Sequence, residues 1–252
     1  MTTHMITYFI KRLVRNRLFL ILFPNIIAVT AAYSQQSKFV GSGNRASEKR
    51  ELTNFNRIEA SASLNVFVTQ GPYEVRVEAD DNLIPLVVTN VSGRVLELSI
   101  RKNTSINNRT GLDVYVSMPE LASVVLNGST GLSTSGNFTL DKLTVKTFGS
   151  GNISMAVTAK EIQAETSGSG HLEFKGKANL LKLHTGGSGN IYLNDMVAEE
   201  AFVELSGSGT CEAKDIKRLH AALGGSGNVY YSPTLTTKLD IRAGGSGKAI
   251  PR

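Results

Sequence analysis

The sequence predicts an all-β protein, a right-handed parallel β-helix (solenoid) with coils of ~19–20 residues and Gly-Ser-Gly corners. Three observations carry this. First, a Gly-Ser tripeptide recurs as GST at 128–130 and then as GSG from 149, 168, 187, 207, 225 and 245, in steps of 21, 19, 19, 20, 18 and 20 residues. Second, apolar or small residues fall at offsets −6, −4 and −2 from the first glycine, as in Leu181, Leu183 and Thr185, and again at +4 and +6, as in Leu172 and Phe174. That is the period-two pattern of a strand with one buried face. Third, a period of 3.6 is missing throughout this region. Parallel crossovers are overwhelmingly right-handed, which sets the expected hand.

Taken in chain order, residues 1–34 read as a signal peptide. Lys11, Arg12, Arg15 and Arg17 precede a mainly apolar run from Leu18 to Ala32, and Ala32 and Ser34 supply the small side chains a cleavage site needs. Pro24 interrupts the run, and its length is below the ~20 residues of a membrane span, so no span is expected in the mature chain. Residues 35–50 read as a polar lead-in, and 51–252 as a single β-helix domain with an irregular start, 51–127, and regular repeats, 128–252. The start keeps strand alternation in Ile58, Ala60, Leu64, Val66 and Val68, in Val75, Val77 and Ala79, in Leu96 and Leu98, and in Leu112, Val114 and Val116. Turn signals at Gly71-Pro72, Asp80-Asp81-Asn82, Ser92-Gly93 and Asn107-Asn108 separate these runs. In the repeats, the glycines of the corners (Gly149, Gly151, Gly168, Gly170, Gly187, Gly189, Gly207, Gly209, Gly225, Gly227, Gly245 and Gly247) are expected to serve turns that need positive φ.

GSGN at 41–44, FNRIEASASLNVFVTQG at 55–71, VRVEADDNL at 75–83, LDVYVSMPEL at 112–121, the GSGN turns and Tyr230-Tyr231 together resemble one family, the putative auto-transporter adhesin, head GIN domain proteins. The resemblance runs from about Gly41 to the end. It implies an exported bacterial protein of a kind typical of Bacteroidetes, with a right-handed β-helix fold and an adhesive role inferred from architecture. Where the family often has Asp after GSG, this chain has Asn152, His171, Asn190, Thr210, Asn228 and Lys248.

Composition narrows the chemistry. The 252 residues carry a net charge of +6, but four of the 27 basic side chains lie in the acid-free first 34 residues, so a nucleic-acid partner is not expected. The single cysteine rules out an internal disulfide framework and a cysteine-based zinc site. Calcium-binding β-rolls repeat GGxGxD every nine residues; here GGSGN stands at 186–190 and 224–228 without the aspartate, so no metal and no cofactor are expected. His171, His184 and His220 occupy different columns and are expected to face solvent.

Two outward columns bear on function. The −3 column reads Lys146, Glu165, His184, Glu204, Ala222 and Arg242. Glu165 and Glu204 lie two coils apart, near 10 Å at ~4.8 Å per coil, close to the spacing of inverting glycosidases. An alternating charge ladder equally suits strand pairing, and no insertion is long enough to wall a cleft, so no catalytic residue is assigned. The +5 column reads Ser154, Glu173, Tyr192, Glu212 and Tyr230. Tyr192 and Tyr230, alternating with Glu173 and Glu212, with Phe202 at −5 adding apolar area on the neighbouring side, form the candidate binding surface for a glycan or an envelope protein. The expected function is that of an exported, non-enzymatic adhesin or binding scaffold in the periplasm, at the outer membrane or on the cell surface. The alternatives are a polysaccharide-active β-helix enzyme and a periplasmic structural or signalling accessory. A monomer is expected, because Lys248, Pro251 and Arg252 discourage edge pairing.

Overall fold

The computed structural model describes residues 37–233 and 238–252; the expected signal peptide, 1–34, lies outside them. The polar lead-in contributes strands β1 (Ser37–Val40) and β2 (Arg45–Arg50). Next come β3 (Arg57–Ser61) and β4 (Asn65–Gln70), separated by a corner at 62–64. An excursion follows: β5 (Glu74–Asp80), a 3₁₀ turn at Ile84–Leu86, β6 (Val87–Ser92), β7 (Val95–Ile100), β8 (Thr104–Asn107) and β9 (Leu112–Met118). The chain returns as β10 (Ser123–Gly128) and then winds through β11 (Gly131–Gly149), β12 (Asn152–Thr166), β13 (Leu172–Thr185), β14 (Ile191–Leu205) and β15 (Cys211–Leu223). It ends in β16 (Val229–Tyr231), β17 (Lys238–Ala243) and β18 (Ala249–Pro251).

From β10 onward the coils stack as parallel neighbours. On the first side, preceding each corner, Leu143 pairs with Ile162, Ile162 with Leu181, Leu181 with Ala201, Ala201 with Leu219 and Leu219 with Leu239. On the second side, after the corner, Leu132, Ile153, Leu172, Ile191, Cys211 and Val229 form the corresponding ladder. A third side returns the chain through Phe138, Val157, Gly176 and Met196. The inward columns are buried as the alternation requires: Leu172, Phe174, Leu181, Ile191, Leu219 and Leu223 are 0–1% exposed. Burial of such side chains is worth roughly 1.5–3 kcal/mol each, and here it is repeated coil after coil. The pattern weakens at β17, where Leu239 is 39% exposed because that strand lies at the sheet edge.

The corners need glycine for a reason other than the expected one. Of the twelve corner glycines from Gly149 to Gly247, Gly149 alone has a positive φ. From Gly168 to Gly247 a Cβ on either motif glycine would instead stand 1.9–2.3 Å from the carbonyl oxygen of its counterpart one coil before. The coils approach closely enough for the Ser169, Ser188 and Ser208 amides to donate to the Gly149, Gly168 and Gly187 carbonyls at 2.9–3.0 Å. The position after GSG is structural too. Asn152 Oδ1 accepts the His171 amide, Asn190 Oδ1 that of Thr210 and Asn228 Oδ1 that of Lys248, each at 2.9 Å.

The start is less sequential than its alternation suggests. β3 lies between β7 and β10, and β4 between β9 and β11, so the chain builds one coil, steps beyond it to build the next, then crosses back. Antiparallel pairings of β5 with β9, β2 with β5, and β6 with β7 edge this end of the stack. The β6–β7 hairpin turns at Gly93 and Arg94, both with positive φ, the two-residue geometry that matches strand twist. Asp80, fully buried, clasps the lead-in by accepting the amides of Gly43, Arg109 and Thr110. The strand β2 carries little apolar surface because it edges the sheet, which is why RASEKR reads as a lead-in rather than as a strand.

Candidate functional site

The second side presents one outward column along the stack. Strand register places Arg76, Tyr115, Phe67, Ser133, Ser154, Glu173, Tyr192, Glu212 and Tyr230 in line, one residue per strand. Period two dictates this, since Val66 and Val68, Val114 and Val116, and Ile191 and Leu193 turn inward and leave their intervening aromatic residues outside.

The column therefore brings together Glu173, Tyr192, Glu212 and Tyr230. Tyr192 is half-buried, with its hydroxyl 3.3 Å from Asn190 Nδ2 and its ring centroid 5.9 Å from that of His171. Tyr230 is covered by Arg252, whose guanidinium carbon lies 4.4 Å from the ring centroid, and the same arginine reaches Glu212 at 3.4 Å. Asn194 donates to the other Glu212 oxygen at 2.9 Å. The Ser154 hydroxyl donates to Glu173 at 2.7 Å and Lys175 lies 3.0 Å from it; Ser154 first and Lys175 second hold this carboxyl below its ordinary range.

Phe67 and Tyr115, which sequence reasoning did not assign to this surface, share the column. Their rings stack with centroids 5.0 Å apart at 19°, and Arg76 covers Tyr115 at 4.3 Å. The signal was present in the alternation, where each sits at an outward position between two inward valines. What hid them was the coil order, which joins β4 and β9 to β11 only in three dimensions. Tyr115 covers one face of Phe67, and the other faces Ser133. There the surface sinks into a trough of about 330 Å³ lined by Asn65, Phe67, Gly131, Ser133, Ser154 and Tyr192, among others.

Phe202 does not join this surface. It lies on the first side, across the corner, 44% exposed and stacked on His220 with centroids 4.6 Å apart at 9°. The five proposed binding residues are thus split four to one, because offsets −5 and +5 fall on different sides of the Gly-Ser-Gly bend. The first side bears a broader groove of about 570 Å³ whose lining includes Gln163, Lys182, His184, Phe202 and His220. Its lysines are matched internally, Lys146 with Glu165 at 2.8 Å and Lys182 with Glu161 at 3.0 Å, while the His184 ring lies 3.4 Å from the exposed Glu204 carboxyl. The His220 side chain is 22% exposed, held between Glu200 at 3.3 Å and Asp240 at 3.5 Å, and is not the solvent-facing residue expected. Glu165 and Glu204 do flank His184 in register, yet each is tied into this ladder.

Cys211 is buried in the core, and burial pushes its thiol up to about 12, so it is not a nucleophile at neutral pH. Among the described residues no helix is long and apolar enough to cross a membrane.

Comparison with known proteins follows the same lines. The family model described as putative auto-transporter adhesin, head GIN domain matches residues 54–234. A crystal structure named as a putative adhesin from Bacteroides fragilis superposes with a TM-score of 0.78 at 22% identity, covering 85% of this chain and 100% of that one. One from Parabacteroides merdae, also named a putative adhesin, gives 0.67 at 19% identity over 85% and 99% of the two chains. A Parabacteroides distasonis structure named as a putative lipid binding protein gives 0.64 at 20% identity over 85% and 100%. No curated protein matches the chain. At these identities the structural likeness establishes the fold.

Proposed function

We propose that this chain, which belongs to the putative auto-transporter adhesin, head GIN domain family, is an exported, non-enzymatic binding scaffold that works at the cell envelope through the outward column of its second side. The observation that carries the reading is the alignment of Tyr115, Phe67, Tyr192 and Tyr230 on one stack of hydrogen-bonded coils. A ligand bound there meets a surface whose spacing is set by the backbone, so little ordering entropy opposes binding. The salt bridge from Lys146 to Glu165 and the exposure of Glu204 support the non-enzymatic reading, since neither carboxyl stands in a water-excluding cleft. The name of the Parabacteroides distasonis relative raises lipid as a ligand, but here Phe55, Phe138 and Phe174 fill the interior at 0% exposure, which supports binding on the outside instead.

The test compares cells expressing the full chain, cells lacking it, and cells carrying Tyr192→Ala with Tyr230→Ala. Surface proteolysis and adhesion to glycan- and protein-coated plates are measured. The expected result is envelope-located protein, with adhesion lost on deletion and reduced by the double substitution at unchanged thermal stability. Adhesion unaffected by deletion overturns the reading.

A further inference from the structure

On the second side the neighbouring outward positions Gly131, Ser133 and Ser154 carry only small side chains. Register lines Ser133, Ser154 and Glu173 between Phe67 and Tyr192, which are four strand steps apart, a span of about 19 Å at ~4.8 Å per step, and sets Gly131 beside them opposite Asn65 and Asn152. One end wall is the face of Phe67 turned away from Tyr115. The other is the Tyr192 ring with His171 beside it. Polar groups edge the floor. Asn65 holds its carboxamide in place by donating to Asp113 at 2.9 Å, and its Oδ1 lies 3.6 Å from where a Gly131 Cβ would stand. Asn152 and Ser154 are fixed by the bonds to the next coil already described. Glu173 supplies the formal charge within the lining, and no lysine or arginine lines the trough.

We infer that this trough is a subsite for a neutral pyranose chain lying along the solenoid axis, an inference that rests on the binding-scaffold reading and gives it a ligand class. The chemistry selects such a chain on three counts. A pyranose presents an apolar C–H face suited to an aromatic ring, as at Phe67 and Tyr192. Its ring-edge hydroxyls donate and accept, matching a serine hydroxyl, a carboxamide and a carboxylate on a fixed floor. An acidic sugar is disfavoured, because its carboxylate would approach Glu173 with no lysine or arginine in the lining, and Lys175 outside it is already on Glu173 at 3.0 Å.

The test is calorimetric titration of the full chain with cellotetraose, chitotetraose, maltotetraose and mannotetraose, with tetragalacturonate as the acidic comparison. The expected result is binding of at least one neutral tetraose and weaker or no binding of the acidic one. Phe67→Ala should lower affinity by about tenfold or more, and Phe67→Tyr should preserve it. Ser133→Trp fills the trough from an outward position without touching the core and should abolish binding, while Lys182→Ala, across the corner on the first side, should leave it unchanged. No binding by any neutral tetraose, binding indifferent to Ser133→Trp, or preference for tetragalacturonate overturns the inference. Tyrosine-dependent adhesion of cells without tetraose binding would leave the scaffold and remove the sugar subsite. Trough-dependent tetraose binding with adhesion unaffected by deletion would do the reverse.

Discussion

Gly186 and Gly187 are neighbours in sequence with opposite structural demands, and exchanging each for alanine tests how the solenoid is built. A Cβ at Gly187 would stand 2.3 Å from the Gly168 carbonyl oxygen, about 1.2 Å inside an ordinary contact of ~3.5 Å. That oxygen belongs to backbone and also accepts the amides of Ser188 and Gly189, both at 2.9 Å. Relief requires the coils to part, weakening two hydrogen bonds worth about 1 kcal/mol each and adding overpacking strain of about 1–3 kcal/mol. Against this, alanine restricts the unfolded chain by about 0.4–1 kcal/mol, leaving a net loss of roughly 2–4 kcal/mol. At Gly186 the nearest atom to an added Cβ is His184 Nε2 at 3.7 Å, and φ is not positive, so Gly186→Ala should be neutral or slightly stabilising. Urea unfolding followed by far-ultraviolet circular dichroism should show Gly187→Ala lowering the midpoint by about 1 M, for an m-value on the order of 3 kcal/mol/M, and Gly186→Ala leaving it in place. Equal shifts for the two would refute close backbone stacking as the reason for the motif.

Thr147 and Thr166 place hydroxyls in the core without a hydrogen-bond partner among the described residues, so Thr166→Val should raise the urea midpoint, by a free energy of about 1 kcal/mol; a lowered midpoint would show that the hydroxyl has a partner in solution. For Asp80, burial pushes the carboxyl up, but the amides of Arg109, Gly43 and Thr110 outweigh it and hold it below its ordinary 3.8. A depressed folded value means the contribution is complete above pH ~4 and is lost as acid carries the group through its folded value. The protection factors of the Gly43, Arg109 and Thr110 amides, taken against the intrinsic rate at each pH, should therefore fall first on acidification, and Asp80→Asn should show the lowered protection already at neutral pH.

The regular coils were legible because every stabilising feature recurs at one spacing. Leu143, Ile162, Leu181, Ala201 and Leu219 occupy the same offset and become one buried column. The start was legible in its strands but not in its order. Ile58 pairs with Val124 across 66 residues, and nothing local distinguishes that partner from a neighbour in sequence. Phe67 and Tyr115 were lost from the candidate surface for this reason. The motif glycines were recognised, but their purpose was not: steric closeness between coils is a property of the stack, which a single repeat does not contain.

The recurring motifs and the candidate site make separate demands on the chain. GSGN at 41–44 and the Asp80-Asp81-Asn82 segment bind one another: Gly43 donates to Asp80, the Ser42 amide to Asn82 and the Ser42 hydroxyl to Asp81. No room remains for a side chain at Gly41, where a Cβ would meet the Asp80 carboxylate at 2.4 Å. In the corners Asn152, Asn190 and Asn228 accept the next coil's amide, a role an aspartate could fill equally well, so either residue after GSG serves the stack without calcium. These positions are occupied by the work of holding the coils together. The +5 positions carry no such obligation, since any side chain pointing outward there leaves the backbone ladder intact. Ser, Glu and Tyr succeed one another along it while the inward neighbours stay apolar. On one unchanged scaffold, recognition can therefore be rewritten at the outward column alone, and it is there that chains of this fold with different ligands should differ.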